Sequence, residues 1–198
     1  MGIKIISTGG TYQLLKKNGV DVEEVSEVTG FPEMLDGRVK TLHPNVHAGI
    51  LARRDSPEHM AAIKECGIEP IDMVVINLYP FKETVLKGSD FEDIVENIDI
   101  GGPSMIRAAA KNYESVAVVT SPAQYAPVLE QLKSAGKLSQ EMLSELMAQA
   151  FLVTAEYDAM IADRMQRKFG KGFPDSFPIP TEKVMDLRYG ENPNQKAA

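Results

Sequence analysis

Two apolar runs, Ile71-Asp-Met-Val-Val-Ile-Asn-Leu78 and Ser115-Val-Ala-Val-Val119, constrain the fold of this chain more than any other feature. Neither alternates apolar and polar residues, as a strand with one wet face does. A short, almost continuous apolar run is the mark of a parallel strand buried on both faces. Parallel neighbours need a crossover between them, usually a helix, so these runs predict a layered α/β domain.

The rest of the chain fits that expectation. Ile3–Ile6 reads as an opening strand that turns at Ser7-Thr-Gly-Gly10 into a helix from Thr11 to Asn18, with Gly19 just past its end. A short strand is expected around Val20 to Val25. Residues 29–57 hold Gly30, Pro32, Gly37, Pro44, Gly49 and Pro57 with little apolar periodicity, so they read as a long irregular loop of the functional kind. Helical patterns cover His59–Cys66, Phe91–Ile98, Pro103–Asn112 and Pro122–Ala135. A long helix runs from about Ser139, its expected N-cap, to Arg167, with Met142, Leu143, Leu146, Ala150, Val153, Tyr157 and Ile161 on its apolar face. Phe169 to Pro180 reads as a linker. The predicted architecture is a three-layer α/β/α sandwich with a mostly parallel sheet.

Length and composition narrow the functional classes. At 198 residues the chain suits one domain with a short extension. A net charge of -7 argues against non-specific binding of nucleic acid, although a local basic pocket is compatible with an acidic exterior. Cys66 is the one cysteine, which excludes an intrachain disulfide and suits a reducing cytoplasm. No apolar run reaches the roughly 18 residues that a membrane span needs, and no membrane partner is expected. Met1-Gly2-Ile3-Lys4 is not a signal peptide. A cytoplasmic location follows as the expectation.

Four segments carry possible chemistry. Ser7-Thr8-Gly9-Gly10-Thr11 sits where a strand becomes a helix, and exposed N–H groups at a helix start suit phosphate; a glycine turn serving only chain geometry is the alternative. Gly37-Arg38-Val39-Lys40-Thr41-Leu42-His43-Pro44 packs two cations, a hydroxyl and an imidazole into the long loop. In an extended backbone Arg38 and Lys40 would point the same way and clamp an anion. The bland alternative is a solvated basic loop. His43 and His47 have the spacing of a helical metal pair, but Pro44 between them and the lack of a third ligand disfavour a metal.

Asn77 and Tyr79 fall at the carboxyl end of a buried strand, where ligands gather in parallel sheets. Finally, Ile98-Asp99-Ile100-Gly101-Gly102-Pro103 leads into Arg107-Ala-Ala-Ala-Lys111-Asn112. It sets a carboxylate, two glycines and a lysine around a helix start. A capping carboxylate and a surface lysine are the alternatives there. The three alanines predict close packing of this helix on the sheet.

Together these segments closely resemble the inosine monophosphate (IMP) cyclohydrolase domain of the bifunctional purine-biosynthesis enzyme. The resemblance rests on S-T-G-G-T at 7–11, T-G-F-P-E-M-L-D-G-R-V-K-T-L-H-P at 29–44 and H-A-G-I-L-A at 47–52, with N-L-Y-P-F at 77–81, I-D-I-G-G-P at 98–103 and R-A-A-A-K-N at 107–112. In that family the domain precedes an aminoimidazole carboxamide ribonucleotide transformylase domain, and Leu187–Gln195 looks like its opening, with Asn194 where histidine is usual. The expected division is a shortened cyclohydrolase-like domain over 1–178, then a linker and truncated second domain over 179–198. The resemblance implies a methylglyoxal-synthase-like fold lacking the family's usual first strand and helix with its S-x-S-D-K-T-G loop. A methylglyoxal synthase itself would leave Arg38–Pro44 and Asp99–Asn112 unexplained.

The resemblance also implies dehydrative closure of 5-formamidoimidazole-4-carboxamide ribonucleotide to IMP. Asp99 is expected to accept the proton of the attacking carboxamide nitrogen. Lys40 with Tyr79, assisted by Lys111 and the N–H groups of Ile100 and Gly101, is expected to serve the formyl oxygen. Thr8, Gly9, Gly10, Thr11, Arg38, Thr41 and Asn77 are the expected contacts to the rest of the nucleotide. No metal or redox cofactor is implied. The implied partners are the purine nucleotide substrate and product and a second copy of the chain in a homodimer. The rival expectations are a nucleotide-binding module without turnover and an inactive fragment of the bifunctional enzyme.

Overall fold

The strand Ala117–Val119 is the best buried among the described residues and anchors the fold. Val116, Val118 and Val119 are almost fully enclosed. The computed structural model describes residues 2–78, 81, 88–179, 181, 183–188, 190 and 192. In chain order its elements are β1 (Ile6–Ser7), α1 (Gly9–Lys17), β2 (Glu23–Glu24), α2 (Val25–Thr29), α3 (Pro44–Leu51), α4 (Pro57–Glu65), β3 (Met73–Val75), α5 (Phe91–Glu96), α6 (Gly101–Lys111), β4 (Ala117–Val119), α7 (Tyr125–Ala135) and α8 (Gln140–Phe169), with a 3-10 turn at Pro122–Gln124. The chain divides into two compact units, Met1–Thr154 and Ala155–Ala198.

Pairing is parallel throughout, as the apolar runs predict, but the strands are short and form two separate pairs. β1 lies beside β2 with Ile6 opposite Glu23, and β3 lies beside β4 with Val74 opposite Val118. No hydrogen-bonded ladder joins the two pairs among the described residues. The expectation that the Ile71–Leu78 run is buried on both faces also needs correction. Val74 is buried, yet Val75, which points to the opposite face, is 51% exposed, so that face of β3 is left open at this residue.

The core of the first unit joins both strand pairs to the helices. Val74, Val116 and Val118 pack with Ile106, Ala109 and Ala110 of α6, Val46 and Ile50 of α3, and Leu146 and Ala150 of α8. The alanine stretch at 108–110 is fully covered, so α6 lies close on the strands as its small residues predict. Ser139 caps α8 by accepting from the Met142 N–H at 3.2 Å.

Two local expectations change. Val25 starts a helix instead of ending a strand, because a capping box is present in which the Glu24 and Glu27 side chains satisfy the first N–H groups of α2. The segment 29–57 is also not irregular throughout, since Pro44–Leu51 is helical. Pro44 does not interrupt a helix between His43 and His47. It opens one, at the position where its missing N–H costs nothing, and His43 is the cap, with Nδ1 accepting from the Asn45 N–H at 3.2 Å.

Asn112 fixes the far end of α6. Its buried amide donates to Ile50 O at 2.8 Å and to Ala52 O at 3.0 Å, satisfying two carbonyls where α3 ends. Replacing Asn112 by alanine takes the Asn112 donor from Ile50 O, while Ala52 O keeps Arg54 Nη1, and should cost about 1–3 kcal/mol, read from the denaturant midpoint. Asn112→Asp should do no better, since a carboxylate cannot donate.

Within the second unit, α8 ends at Phe169 and residues 171–179 form no helix or strand. Gln166 Nε2 reaches Gly172 O at 3.4 Å, and Phe173 and Phe177 meet edge to face. Among the described residues no helix is long and apolar enough to cross a membrane.

Candidate active site

The residues of the 31–43 loop are drawn up by a tight hairpin. Met34 and Val39 form an antiparallel bridge, with Met34 N donating to Val39 O at 3.0 Å and Val39 N to Met34 O at 3.2 Å. The turn between them places Leu35 and Asp36 in the left-handed region, at φ 54° and 53°. Such a conformation is costly for leucine and marks a backbone held by its surroundings. Gly37 follows at φ 89°, and a Cβ there would lie 2.9 Å from Glu33 Oε1 and 3.2 Å from Lys40 Nζ. The positive φ favours glycine here, while the two long side chains could shift aside.

Lys40 and Thr41, at the end of this hairpin, bridge the starts of two helices. Lys40 Nζ lies 3.6 Å from the point a Cβ on Gly9 would occupy, at the first residue of α1. Thr41 Oγ1 lies 2.6 Å from the corresponding point on Gly101, the first residue of α6. Each helix start carries partial positive charge and N–H groups without intrahelical partners. Thr8 precedes α1 without a side-chain capping bond, and Gly10 and Thr11 complete the exposed first turn. The glycines permit this approach, since a side chain at 101 would displace Thr41.

Asp99 stands at the mouth of α6. Its Oδ1 accepts from the Gly102 N–H at 2.8 Å, so the carboxylate caps the helix. Asp99 Cγ and Leu78 Cδ2 lie 2.9 and 3.0 Å from where a Cβ on Gly102 would sit. The carboxylate therefore meets the chain leaving β3. Ile100, next to it, is exposed and directly precedes α6. α6 begins at Gly101, two residues before the Pro103 expected from sequence, which puts the glycine pair inside its first turn.

Not every expected residue joins this cluster. Lys111 is the last residue of α6 and is exposed, ten residues beyond Gly101. A rise of 1.5 Å per residue puts it about 15 Å away along the axis. The sequence proximity that suggested its assistance to Asp99 is thus undone by the helix between them. Asn77, at the carboxyl end of β3, donates to the Tyr125 hydroxyl at 2.8 Å. Tyr79 lies outside the described residues.

Sequence reasoning missed two carboxylates. Arg38 Nε donates to Glu96 Oε1 at 3.2 Å and Nη2 pairs with Oε2 of the same group. Lys40 Nζ lies 3.6 Å from Glu33 Oε2. The Arg38 guanidinium holds the Glu96 carboxyl below its usual range, and the pairing raises Arg38 in return. A signal for Glu96 existed in its position: it ends α5, where the helix dipole disfavours an acid.

His47 is half-buried, its Nε2 is covered without a hydrogen-bond partner, and burial pushes the imidazole below its ordinary pKa. Among the described residues no group of three His, Cys, Asp or Glu side chains is disposed to hold a metal ion.

The contact between Gly101 and Thr41 can be tested directly. Gly101→Ala should destabilise the protein by about 1–3 kcal/mol through overpacking. Gly101→Ala combined with Thr41→Ala should recover most of that loss, a coupling that a denaturant double-mutant cycle measures.

Short parallel strands, each followed by helix, define an α/β domain that gathers two helix starts and a cation beside its strands. Residues 1–104 match the family model for the MGS-like domain, and the chain belongs to that family. Residues 109–198 match the model for the AICARFT/IMPCHase bienzyme. The bifunctional purine biosynthesis protein PurH of Bacillus subtilis (strain 168) is 56% identical over 198 residues, all of this chain and 39% of that protein. PurH of Thermoanaerobacter sp. (strain X514) is 57% identical over 199 residues, again 39% of its length. This chain therefore spans well under half of these relatives. Among solved structures, the crystal structure of ForH superposes with a TM-score of 0.70 at 36% identity, covering 83% of this chain and 86% of that one.

Proposed function

We propose that this chain is an IMP cyclohydrolase, closing the six-membered ring of a purine nucleotide with loss of water. The observation that carries the reading is the span of Lys40–Thr41 from the start of α1 to the start of α6, beside Asp99. The names of the PurH relatives support the choice of substrate.

The carboxamide nitrogen attacks the formyl carbon of the same molecule, so the site has only to hold a reactive conformer and move protons. A C–N bond forms as the formyl C=O becomes C–OH; the C–O bond then breaks and oxygen leaves as water. One proton of that water comes from the carboxamide nitrogen and the other from the formamido N–H. Asp99 accepts the first as the nitrogen attacks. Lys40, with Tyr79 and the N–H groups of Ile100 and Gly101, donates to the oxygen as it gains charge and departs. The start of α1, from Thr8 to Thr11, takes the phosphate together with Arg38 and Thr41, and Asn77 contacts the nucleotide from the end of β3. Lys111 has no place among the groups on the reacting atoms.

We assign 1–178 to this cyclohydrolase-like domain and 179–198 to a linker and the opening of a second domain. The working assembly is a cytoplasmic homodimer, which sedimentation would check. The test of function is ring closure followed by absorbance on the purified chain. Turnover supports the reading, whereas calorimetric binding of IMP without any turnover would leave a nucleotide-binding module in its place.

A further inference from the structure

Both cations of the Arg38–Lys40 pair are already held by carboxylates, and those carboxylates come from different segments. Glu96 reaches Arg38 from the end of α5 through two contacts, a forked arrangement that a phosphate edge reproduces. Glu33 stands 3.6 Å from Lys40 on the opposite side of the hairpin, in the space that Gly37 leaves open. Glu96 is also misplaced with respect to its own helix, because an acid at a helix C-terminus is disfavoured by the dipole. Its partner for that charge is Arg38, not α5. All four side chains are partly or largely open to solvent, so their pairings exchange readily with other anions.

We propose that Glu96 is a ligand-mimicking counter-ion that holds Arg38 until a nucleotide binds and is then displaced by its phosphate. The inference rests on the nucleotide-binding reading above and deepens it by naming what sets the affinity. Arg38 exchanges one forked anion for another, and the freed Glu96 carboxylate returns to solvent. A neutral nucleoside lacks the charge to displace the carboxylate. The device therefore makes affinity depend on the phosphate, at the cost of weaker binding than an unpaired guanidinium would give.

The experiment is calorimetric titration of IMP, inosine and inorganic pyrophosphate into wild type, Glu96→Gln and Asp36→Asn. Asp36 acts on Arg38 through space in the same hairpin but is not its ion-pair partner, and asparagine tolerates its left-handed backbone. Removing the exposed Arg38–Glu96 pair should tighten IMP about three-fold in Glu96→Gln. Inosine binding and the Asp36→Asn titration should stay at wild-type values.

Equal tightening by Asp36→Asn would overturn the proposal in favour of a general field effect. Unchanged or weaker IMP binding in Glu96→Gln would overturn it as well, while leaving the nucleotide site standing. If wild type binds no IMP, the functional reading fails by itself. Pyrophosphate then decides the counter-ion role, with tightening in Glu96→Gln supporting it and flat titrations ending it.

Discussion

Lys40→Ala should lower the rate constant of ring closure by about 10²–10³-fold, the loss typical of removing one preorganised donor from a developing oxyanion. The Lys40 side chain is about one-third exposed and its ion pair with Glu33 is loose, so the fold should survive its removal. Lys40→Met keeps the stem and deletes the charge, and it should behave like the alanine variant. Steady-state kinetics separate two roles for this ammonium, which stands at the start of α1 and beside the residue that touches α6. A fall in kcat with little change in KM places it on the reacting oxygen. A rise in KM at unchanged kcat would move it to the phosphate and sink the assignment made here.

Asp99→Asn should be as damaging to kcat, by about 10²–10⁴-fold, the usual contribution of a positioned general base. The choice of asparagine matters because Asp99 has a structural duty, accepting the Gly102 N–H that opens α6. The amide oxygen of asparagine keeps that cap and removes only the capacity to take a proton. Melting temperature should therefore stay near wild type in Asp99→Asn and fall in Asp99→Ala, which loses the cap at a cost of about 0.5–2 kcal/mol. An Asp99→Asn protein that cyclises at the wild-type rate would reduce Asp99 to a helix cap.

These two residues differ in how legible they were. Asp99 was visible as an acid before two glycines at a helix start, and both readings of it, cap and proton acceptor, were available from the sequence. The structure shows the cap; the proton transfer awaits the experiment. Lys40 was visible as half of a cation pair in a loop, without any indication that its ammonium crosses Gly9, 31 positions earlier. Lys111 fails in the opposite way. It lies close to Asp99 in sequence, and the regular rise of α6 carries it away.

The loop at 29–57 shows why short helices escape a periodicity argument. α3 has eight residues, of which Val46, Gly49 and Ile50 are buried, and too few turns to display a face in sequence. Its proline reads as a breaker when spacing alone is considered, although a proline directly after a capping side chain favours a helix start. The reading of β3 as doubly buried failed because apolar content reports that a strand can be covered on both sides. It does not report that a neighbour is present, and Val75 remains exposed.

By itself the sequence determined the class of this protein. Apolar runs without alternation, separated by helical patterns, can bury their residues only as parallel strands under helices, and that physics is local. It also determined which side chains are chemically able to act, since charge, hydroxyl and glycine content are properties of residues. Tertiary structure alone decided which of them meet. Lys40 reaches α1, Thr41 reaches α6, and Arg38 finds Glu96, 58 positions away, because the folded strands and helices bring their ends together in space. Sequence separation sets the entropy of such contacts but not their identity, which depends on how the core packs.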